Sequence, residues 1–250
     1  MNQKNLKILV AYDGSAYLGW QETGTGPSIE GEMQRTLEKI LRHPVVLQAA
    51  SRTDAGVHSM GQVVNFFTEK EIDDLHKLCY SMNSLLPKDI VVHEIQEAAE
   101  SFHPTLDCIG KEYRYRICTG SVQMPQNRHY SWHFPYGLDL GSMQQAAKML
   151  CGRHDFAAFC NIRKDLNYDD TVREVKEIRV DEKGVGQLSV TVKGDNFLYK
   201  MVRNLVGTLV FVGCGKIGLG EVSEILRSCD RTRSGITAPA HGLSLVQVDY

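Results

Sequence analysis

Two spacings of apolar residues alternate along the chain. In some segments every second residue is apolar, which is typical of a half-buried strand, and in others apolar residues recur three and four positions apart, as on one face of a helix. The predicted elements are strands at 6–12, 44–50, 61–68, 90–95, 111–117, 173–180, 187–193 and 243–248, and helices at 29–42, 73–86, 139–151, 197–212 and 221–227. Because many neighbouring strands are joined by short polar links, this order favours an α+β fold with mixed or antiparallel sheets over a doubly wound parallel sheet.

The length of the chain and a recurring order of elements predict two lobes. The chain has 250 residues, enough for one large domain or for two lobes with a sizeable core. A boundary falls near residues 101–104, and each half runs strand, loop, helix, strand. We therefore predict an N-terminal lobe at 1–104 and a C-terminal lobe at 105–250.

Chemistry-bearing side chains are concentrated between the strands predicted at 44–50 and 61–68. Arg52, Asp54 and His58 lie within one short polar segment there. Its Asp-Ala-Gly sequence is ordinary turn chemistry, because Asp caps its own backbone and Gly accepts a positive φ. Arg52 and His58 add nothing to a tight turn, and ordering their side chains costs entropy. From these residues alone, a structural turn and a functional loop both stay open.

The helix predicted at 197–212, with Asn196 as its N-cap, is apolar on most of its faces and is therefore expected to be buried. Arg203 lies on its narrow polar strip, and Gly207, one turn further, allows another segment to approach closely. A poorly exposed Arg is costly unless it meets an anion. That anion is a structural carboxylate, a phosphate or the carboxylate of Asp54.

Charge and cysteine usage limit the classes of partner and compartment. The net charge of −2 gives no global signal for nucleic acid, although a local basic surface can still neutralise phosphates. Candidates for such a surface are Lys111, Arg114, Arg116, Arg163, Lys164 and Lys200. Seven cysteines without a CxxC pair are typical of free thiols in a reducing cytosol. We expect no signal peptide, and no apolar run is long enough to span a bilayer.

Two other enzyme classes fit the sequence poorly. The segment 213–218 matches GxGxxG, but a buried helix precedes it and too little chain follows for a dinucleotide-binding βαβ unit, so we interpret it as a helix end and a turn. A retaining glycosidase needs a second catalytic carboxylate close to the first, and no second acid lies in a comparable motif. One isolated Asp suits a reaction at a sugar carbon that needs no separate acid.

Five motifs, taken together and in order, resemble the TruA family of tRNA pseudouridine synthases. They are Tyr12-Asp13-Gly14 with Gly19-Trp20-Gln21, the segment 51–58 with Gly61-Gln62-Val63-Val64, Lys111-Glu112-Tyr113-Arg114-Tyr115, the segment 201–207, and the segment 242–246 with Tyr250. The resemblance extends from about residue 6 to residue 250. One departure is Ser51, where the family usually has Gly.

The resemblance implies a pseudouridine synthase fold, in which two similar α/β lobes with mixed or antiparallel sheets are flanked by helices and enclose a central cleft. It implies isomerisation of uridine to pseudouridine at positions 38, 39 and 40 in the anticodon stem-loop of tRNA. It further implies a cytoplasmic homodimer that uses no metal and no other cofactor. A non-catalytic RNA-binding module on the same scaffold is the alternative function.

The resemblance also implies roles for individual residues. Asp54 is the catalytic carboxylate, which either attacks C1′ of the ribose or assists the formation of a glycal. Tyr113 stacks on the target base, and Arg203 favours the ionised form of Asp54. Arg52 fills the stack that the flipped base has left or holds a phosphate. His58 contacts the RNA or orders the loop, and the sequence leaves both roles open.

Overall fold

The computed structural model describes residues 3–162 and 168–250, so the expected basic residues Arg163 and Lys164 lie outside the described residues. The strands are β1 (Lys4–Tyr12), β2 (Gln48–Ala49), β3 (His58–Thr68), β4 (Ile90–Ala98), β5 (Gly110–Cys118), β6 (Trp132–His133), β7 (Gly152–Asp155), β8 (Val172–Gly184), β9 (Gln187–Gly194) and β10 (Leu243–Asp249). The α-helices are α1 (Ile29–Leu41), α2 (Leu75–Leu85), α3 (Leu140–Met149), α4 (Met201–Gly213) and α5 (Glu221–Ser228). Parallel and antiparallel pairs both occur, which confirms the α+β class with mixed pairing.

The chain divides into two compact units. The first contains Met1–Ile109 together with Ser244–Tyr250, and the second contains Gly110–Leu243. The change of unit after Ile109 lies close to the boundary expected from the sequence, and the closing strand returns to the first unit.

The first unit is a sheet in the order β4-β1-β3-β10 with α1 and α2 contributing to its core. β1 is antiparallel to β3 and β4, and β10 is parallel to β3. Ser28 caps α1 by accepting a hydrogen bond from the Gly31 N–H, and Asp74 caps α2 in the same way from the Lys77 N–H. Alternate residues of β1 are fully buried against this core, as the strand pattern predicted.

The second unit is an antiparallel sheet in the order β5-β9-β8-β7, with β6 parallel to β5. Asp139 caps α3, which packs against β8 and α4. Nearly all of α4 is buried, as its apolar faces predicted. In the described ranges, no helix combines the length and the apolar character needed to cross a membrane.

Two predicted elements are shorter in the structure, and each has a local cause. The expected strand at 44–50 is reduced to β2, because the Val45 N–H donates to the carboxylate of Glu38 instead of to a strand. The helix expected from residue 197 begins only at Met201, because Lys200 adopts a left-handed conformation with φ 59°. Asn196 is therefore not the N-cap of α4.

Gly207 allows a backbone segment to lie directly on α4, as expected. A Cβ atom at this position would overlap the carbonyl oxygen of Ile236. The approach is reciprocal, since a Cβ atom at Gly235 would lie 2.6 Å from the backbone carbonyl of Gly207. The Gly235 N–H donates a 2.9 Å hydrogen bond to the buried hydroxyl of Thr208 on the same helix. Segment 235–238 is thus fixed against the helix by two glycines and a hydrogen bond.

We expect Gly207→Ala to lower the free energy of unfolding by about 3 kcal/mol, since an added methyl group must displace backbone atoms. Chemical denaturation measures this loss. Gly137→Ala is the matched control, because a Cβ atom at Gly137 meets nothing within 4 Å, and it should change stability by less than about 0.5 kcal/mol. Equal effects of the two substitutions would contradict the close approach.

Candidate functional site

Asp54 occupies the first position of a tight turn. The Val57 N–H donates a 3.1 Å hydrogen bond to the Asp54 carbonyl oxygen, and Gly56 has φ 78°, which favours glycine. Asp54 is half-buried and Arg52 is exposed. The turn that the sequence allowed is therefore present, and we call this segment the Asp54 loop (residues 51–57).

Gln62 holds the start of the Asp54 loop. Its fully buried side-chain amide accepts a 3.2 Å hydrogen bond from the Ser51 N–H and donates a 2.5 Å hydrogen bond to the Ser51 carbonyl oxygen. Both backbone groups of Ser51 are satisfied by one side chain of β3. Ser51 is not among the residues with positive φ, so Ser at this position introduces no backbone strain where the family usually has Gly. The sequence analysis quoted Gln62 within a motif and assigned it no role.

The N-terminal motif packs against the middle of the Asp54 loop. The Trp20 N–H donates a 3.0 Å hydrogen bond to the Thr53 carbonyl oxygen, and the Thr53 hydroxyl lies 2.8 Å from the hydroxyl of Tyr12. Gly19 has φ 102°, and a Cβ atom there would lie 2.7 Å from the Thr53 carbonyl oxygen. These contacts fix the residue immediately before Asp54.

His58 is buried at the end of the same loop. Only 4% of the residue is exposed, and its Nδ1 lies 3.1 Å from the Gly14 nitrogen and 3.1 Å from the Asp13 carboxylate. A protonated Nδ1 donates to Asp13, and an unprotonated Nδ1 accepts from the Gly14 N–H, so one tautomer makes one of the two bonds. A Cβ atom at Gly14 would overlap the Val57 carbonyl oxygen. The imidazole is thus placed where it can order the loop, which is one of the two roles expected for His58.

Tyr113 lies on β5 in the second unit and is 7% exposed. The ring of Phe197 meets it edge to face, with centroids 5.3 Å apart and an interplanar angle of 90°. This contact fixes the plane of the Tyr113 ring. Phe197 was expected inside a helix, and the structure instead places it in the segment before α4.

The cations expected to share one basic surface do not share one face of β5. Side chains alternate along a strand, so Lys111 lies on the face of Tyr113, while Arg114 and Arg116 lie on the opposite face. The Nζ of Lys200 lies 4.8 Å from the centroid of the Tyr199 ring. The single basic surface is thus wrong for the described residues, because strand alternation separates its members.

Arg203 lies in the first turn of α4 and is half-buried. Its Nε donates a 2.7 Å hydrogen bond to the Ala238 carbonyl oxygen, and the Ala238 N–H donates back to the Arg203 carbonyl oxygen at 3.1 Å. Tyr115 is close by, and its hydroxyl donates to the Pro239 carbonyl oxygen at 2.7 Å. Burial raises the pKa of Tyr115, and the positive charge of Arg203 partly opposes this rise.

A network centred on Arg231 supports the backbone next to Arg203, and the sequence analysis missed it. The Arg231 guanidinium donates hydrogen bonds to five neutral acceptors, which are Asn161 Oδ1, Ser234 Oγ, Gly235 O, Asn204 Oδ1 and Thr237 Oγ1. Burial lowers its pKa. Asn204 is fully buried and also donates to the Phe159 carbonyl oxygen at 2.6 Å. The available signal was Asn204 itself, an amide within an otherwise apolar helix.

Comparison with known proteins gives consistent results over the whole chain. The family model described as tRNA pseudouridine synthase matches residues 8–106 and 146–250. A protein named tRNA pseudouridine synthase A 2, from Protochlamydia amoebophila (strain UWE25), is 51% identical over 249 residues, which cover 100% of this chain and 95% of the relative. A tRNA pseudouridine synthase A from Thermoanaerobacter sp. (strain X514) is 41% identical over 247 residues, which cover 99% of this chain and 100% of the relative.

Similarity to solved structures is lower. A chain of the crystal structure of a Cbf5-Nop10-Gar1 complex aligns with a TM-score of 0.38 and 13% identity, covering 96% of this chain and 57% of that chain. The family model and the full-length relatives carry the assignment by themselves. The chain belongs to the tRNA pseudouridine synthase family.

Proposed function

We propose that this protein isomerises uridine to pseudouridine at positions 38, 39 and 40 in the anticodon stem-loop of tRNA, with Asp54 as the catalytic carboxylate. Membership of the tRNA pseudouridine synthase family supports the reaction. The observation that carries the role of Asp54 is the support of its loop. Gln62 and Trp20 hydrogen-bond to the backbone on the N-terminal side of Asp54, and Gly56 closes the turn after it.

The reaction moves a glycosidic bond within one nucleotide. The bond between N1 and C1′ breaks, the base turns, and a bond between C5 and C1′ forms. The base gains a proton at N1 and loses the proton at C5, so atoms and electrons balance without an oxidant or a reductant. An ionised Asp54 either bonds to C1′ or assists removal of a ribose proton to give a glycal. In both routes a fixed carboxylate lowers the entropic part of the barrier.

Arg203 is proposed to act beside Asp54 on the same nucleotide. A cation in the first turn of a helix opposes the helix dipole, and α4 has no acidic residue in that turn. A carboxylate or a phosphate bound to Arg203 would therefore offset the unfavourable interaction between its positive charge and the helix dipole. The hydrogen bond from Nε to Ala238 fixes the guanidinium for that contact.

Tyr113 and Arg52 are proposed to bind the flipped nucleotide. Tyr113 presents a ring whose plane Phe197 fixes, which suits stacking on a base. Extracting the target base from the stem costs about a few kcal/mol, and the exposed Arg52 can offset part of this by occupying the vacated stack or holding a phosphate. We assign His58 to the ordering of the loop, since its imidazole is enclosed by Asp13 and Gly14.

The remaining proposals follow the resemblance of the motifs. They are a homodimer, a cytoplasmic location and a reaction without a metal or other cofactor. The lobe at 1–104 would supply the Asp54 loop. The lobe at 105–250 would supply the strand with Tyr113 and the helix with Arg203.

We expect Asp54→Asn to abolish tritium release from tRNA labelled at uridine C5, with a loss of at least about 10³-fold in rate. Filter binding should show affinity for tRNA within a few-fold of wild type, because Asp54 acts on the chemistry. Asp73→Asn removes an exposed acid of the same unit and should have no effect. If the wild-type protein binds tRNA and releases no tritium, the proposed activity is wrong and the alternative function, a non-catalytic RNA-binding module, takes its place.

We expect Gln62→Ala to lower kcat by about 10²-fold, since a shift of about 1 Å in a catalytic group has that effect. The substitution removes both hydrogen bonds from the Gln62 amide to the Ser51 backbone and so weakens the support of the loop. The dissociation constant of tRNA should change only slightly, which distinguishes misplacement of Asp54 from loss of substrate binding. Gln96→Ala, at an exposed position on β4, is the control. Wild-type kcat in Gln62→Ala would show that this clamp is dispensable.

We expect affinity for tRNA to depend steeply on salt despite the net charge of −2. The dissociation constant should rise at least about 10²-fold between about 50 and 200 mM salt, because neutralising about four phosphates already gives this change. Fluorescence anisotropy with labelled tRNA measures the slope. A flat dependence would show that no local basic surface contacts the phosphate backbone.

A further inference from the structure

The sheet face opposite Tyr113 has small polar residues at its centre and long, mostly cationic side chains at its sides. In the antiparallel register, Thr191 of β9 lies between Arg114 of β5 and Arg179 of β8. In the next row on the same face, Ser189 of β9 lies between Arg116 of β5 and Asp181 of β8. Adjacent strands are only ~4.8 Å apart, so long side chains on both sides of short ones enclose a depression over β9.

This depression is a pocket of about 410 Å³, within the usual size range of small-ligand sites. Its lining includes four cations, Arg114, Arg116, Arg179 and Lys183, and no acidic residue. Asn127 and the half-exposed Tyr130 form part of its wall. We call it the Arg116 pocket.

Ser189 supplies a second, independent sign of a ligand. The residue is 3% exposed and lines the Arg116 pocket, and its hydroxyl has no hydrogen-bond partner among the described residues. A buried hydroxyl without a partner is unfavourable by about 1–3 kcal/mol. An acceptor bound in the pocket would remove this cost.

Carboxylates next to the pocket pair with three of its four cations and leave Arg116 as its main source of positive charge. Acidic residues outside the lining pair with three of its cations: Glu112 with Arg114, Asp181 with Arg179 and Asp181 with Lys183. These pairs orient the side chains at the edge. Arg116 is exposed and makes no hydrogen bond or ion pair within the described ranges. Its guanidinium is therefore available to an anion beside the Ser189 hydroxyl.

We propose that the Arg116 pocket binds a nucleotide phosphate, with Arg116 and Ser189 as its principal ligands. Arg presents a planar fork of donors that matches phosphate oxygens, and the Ser hydroxyl donates a further bond. Tyr130 offers an aromatic surface for the attached sugar or base. A phosphate of the tRNA backbone is the favoured source and rests on the proposed function, whereas a free phosphorylated small molecule has the same chemistry.

The position of the pocket determines which phosphate it can take. Strand alternation places Arg114 and Arg116 on the face of β5 that is opposite Tyr113. A nucleotide stacked on Tyr113 cannot place its own phosphate on that opposite face. The Arg116 pocket thus takes a phosphate other than that of the flipped nucleotide.

The test compares Arg116→Gln and Ser189→Ala with wild type by fluorescence anisotropy. For full-length tRNA we expect a five- to tenfold higher dissociation constant in each variant, and a salt slope lower by about one in Arg116→Gln alone. The same comparison with the isolated anticodon stem-loop shows whether the bound phosphate lies inside or outside the anticodon arm. Arg153→Gln removes an exposed Arg of the same unit outside the pocket and is the matched control. Should Ser189→Ala fail to fold, Arg116→Gln decides by itself.

A second measurement needs no RNA. Inorganic phosphate is titrated into the ¹⁵N-labelled protein, and we expect saturable shifts of the backbone amides at 187–191 in wild type that disappear in Arg116→Gln. Such shifts with tRNA affinity unchanged support the phosphate site and assign its source to a free phosphorylated molecule. If wild type binds no tRNA, the proposed function fails, and this titration still decides the pocket.

Two results would overturn the proposal. The first is the absence of phosphate-dependent shifts together with effects on tRNA binding no larger than those of Arg153→Gln. The second is dissociation of an oligomer in Arg116→Gln, seen by sedimentation velocity, which would make this face an interface between two copies of the chain.

Discussion

The two hydrogen bonds between the Gln62 amide and the Ser51 backbone are the constraint on which the first unit depends. A loop that carries a charged residue has backbone N–H and carbonyl groups that need partners once they are buried. Gln62 supplies both partners from β3, a rigid element, and Trp20 supplies the next one to Thr53. The loop is thereby ordered before any substrate arrives, so the carboxylate of Asp54 needs no help from RNA to reach its position.

The second unit solves the same problem with different groups. Arg203 is held at the start of α4 by the backbone of Ala238, and segment 235–238 lies on the helix because Gly207 and Gly235 carry no side chain. Neutral acceptors surround Arg231, which ties that segment to Asn204, the neighbour of Arg203. Because these partners of Arg231 are neutral, the network supports the backbone around Arg203 through hydrogen bonds alone.

Local patterns predicted most elements, whereas the supports of the candidate site depend on contacts that only the fold creates. Apolar spacing predicted α1, α2 and α3, and the N-caps Ser28, Asp74 and Asp139 stabilise their first turns by local hydrogen bonds. The start of α4 was wrong because Lys200 takes a left-handed conformation that no local signal indicates. Gln62 and Arg231 were missed as supports because a sequence pattern does not state which polar groups the fold will bring next to a side chain.

Strand β5 shows how a chain with a net charge of −2 can still provide separate positive sites. Tyr113 and the buried Lys111 lie on one face, whereas Arg114 and Arg116 lie on the other. One strand therefore presents an aromatic ring on one face and cations on the other, and we propose that the ring binds a base and the cations bind phosphates. Acidic neighbours such as Glu112 cancel charge in the total without occupying the pocket that the cations line. Because net charge averages over both faces, it carries no information about either one, and the register of the sheet is what determines where phosphate can bind.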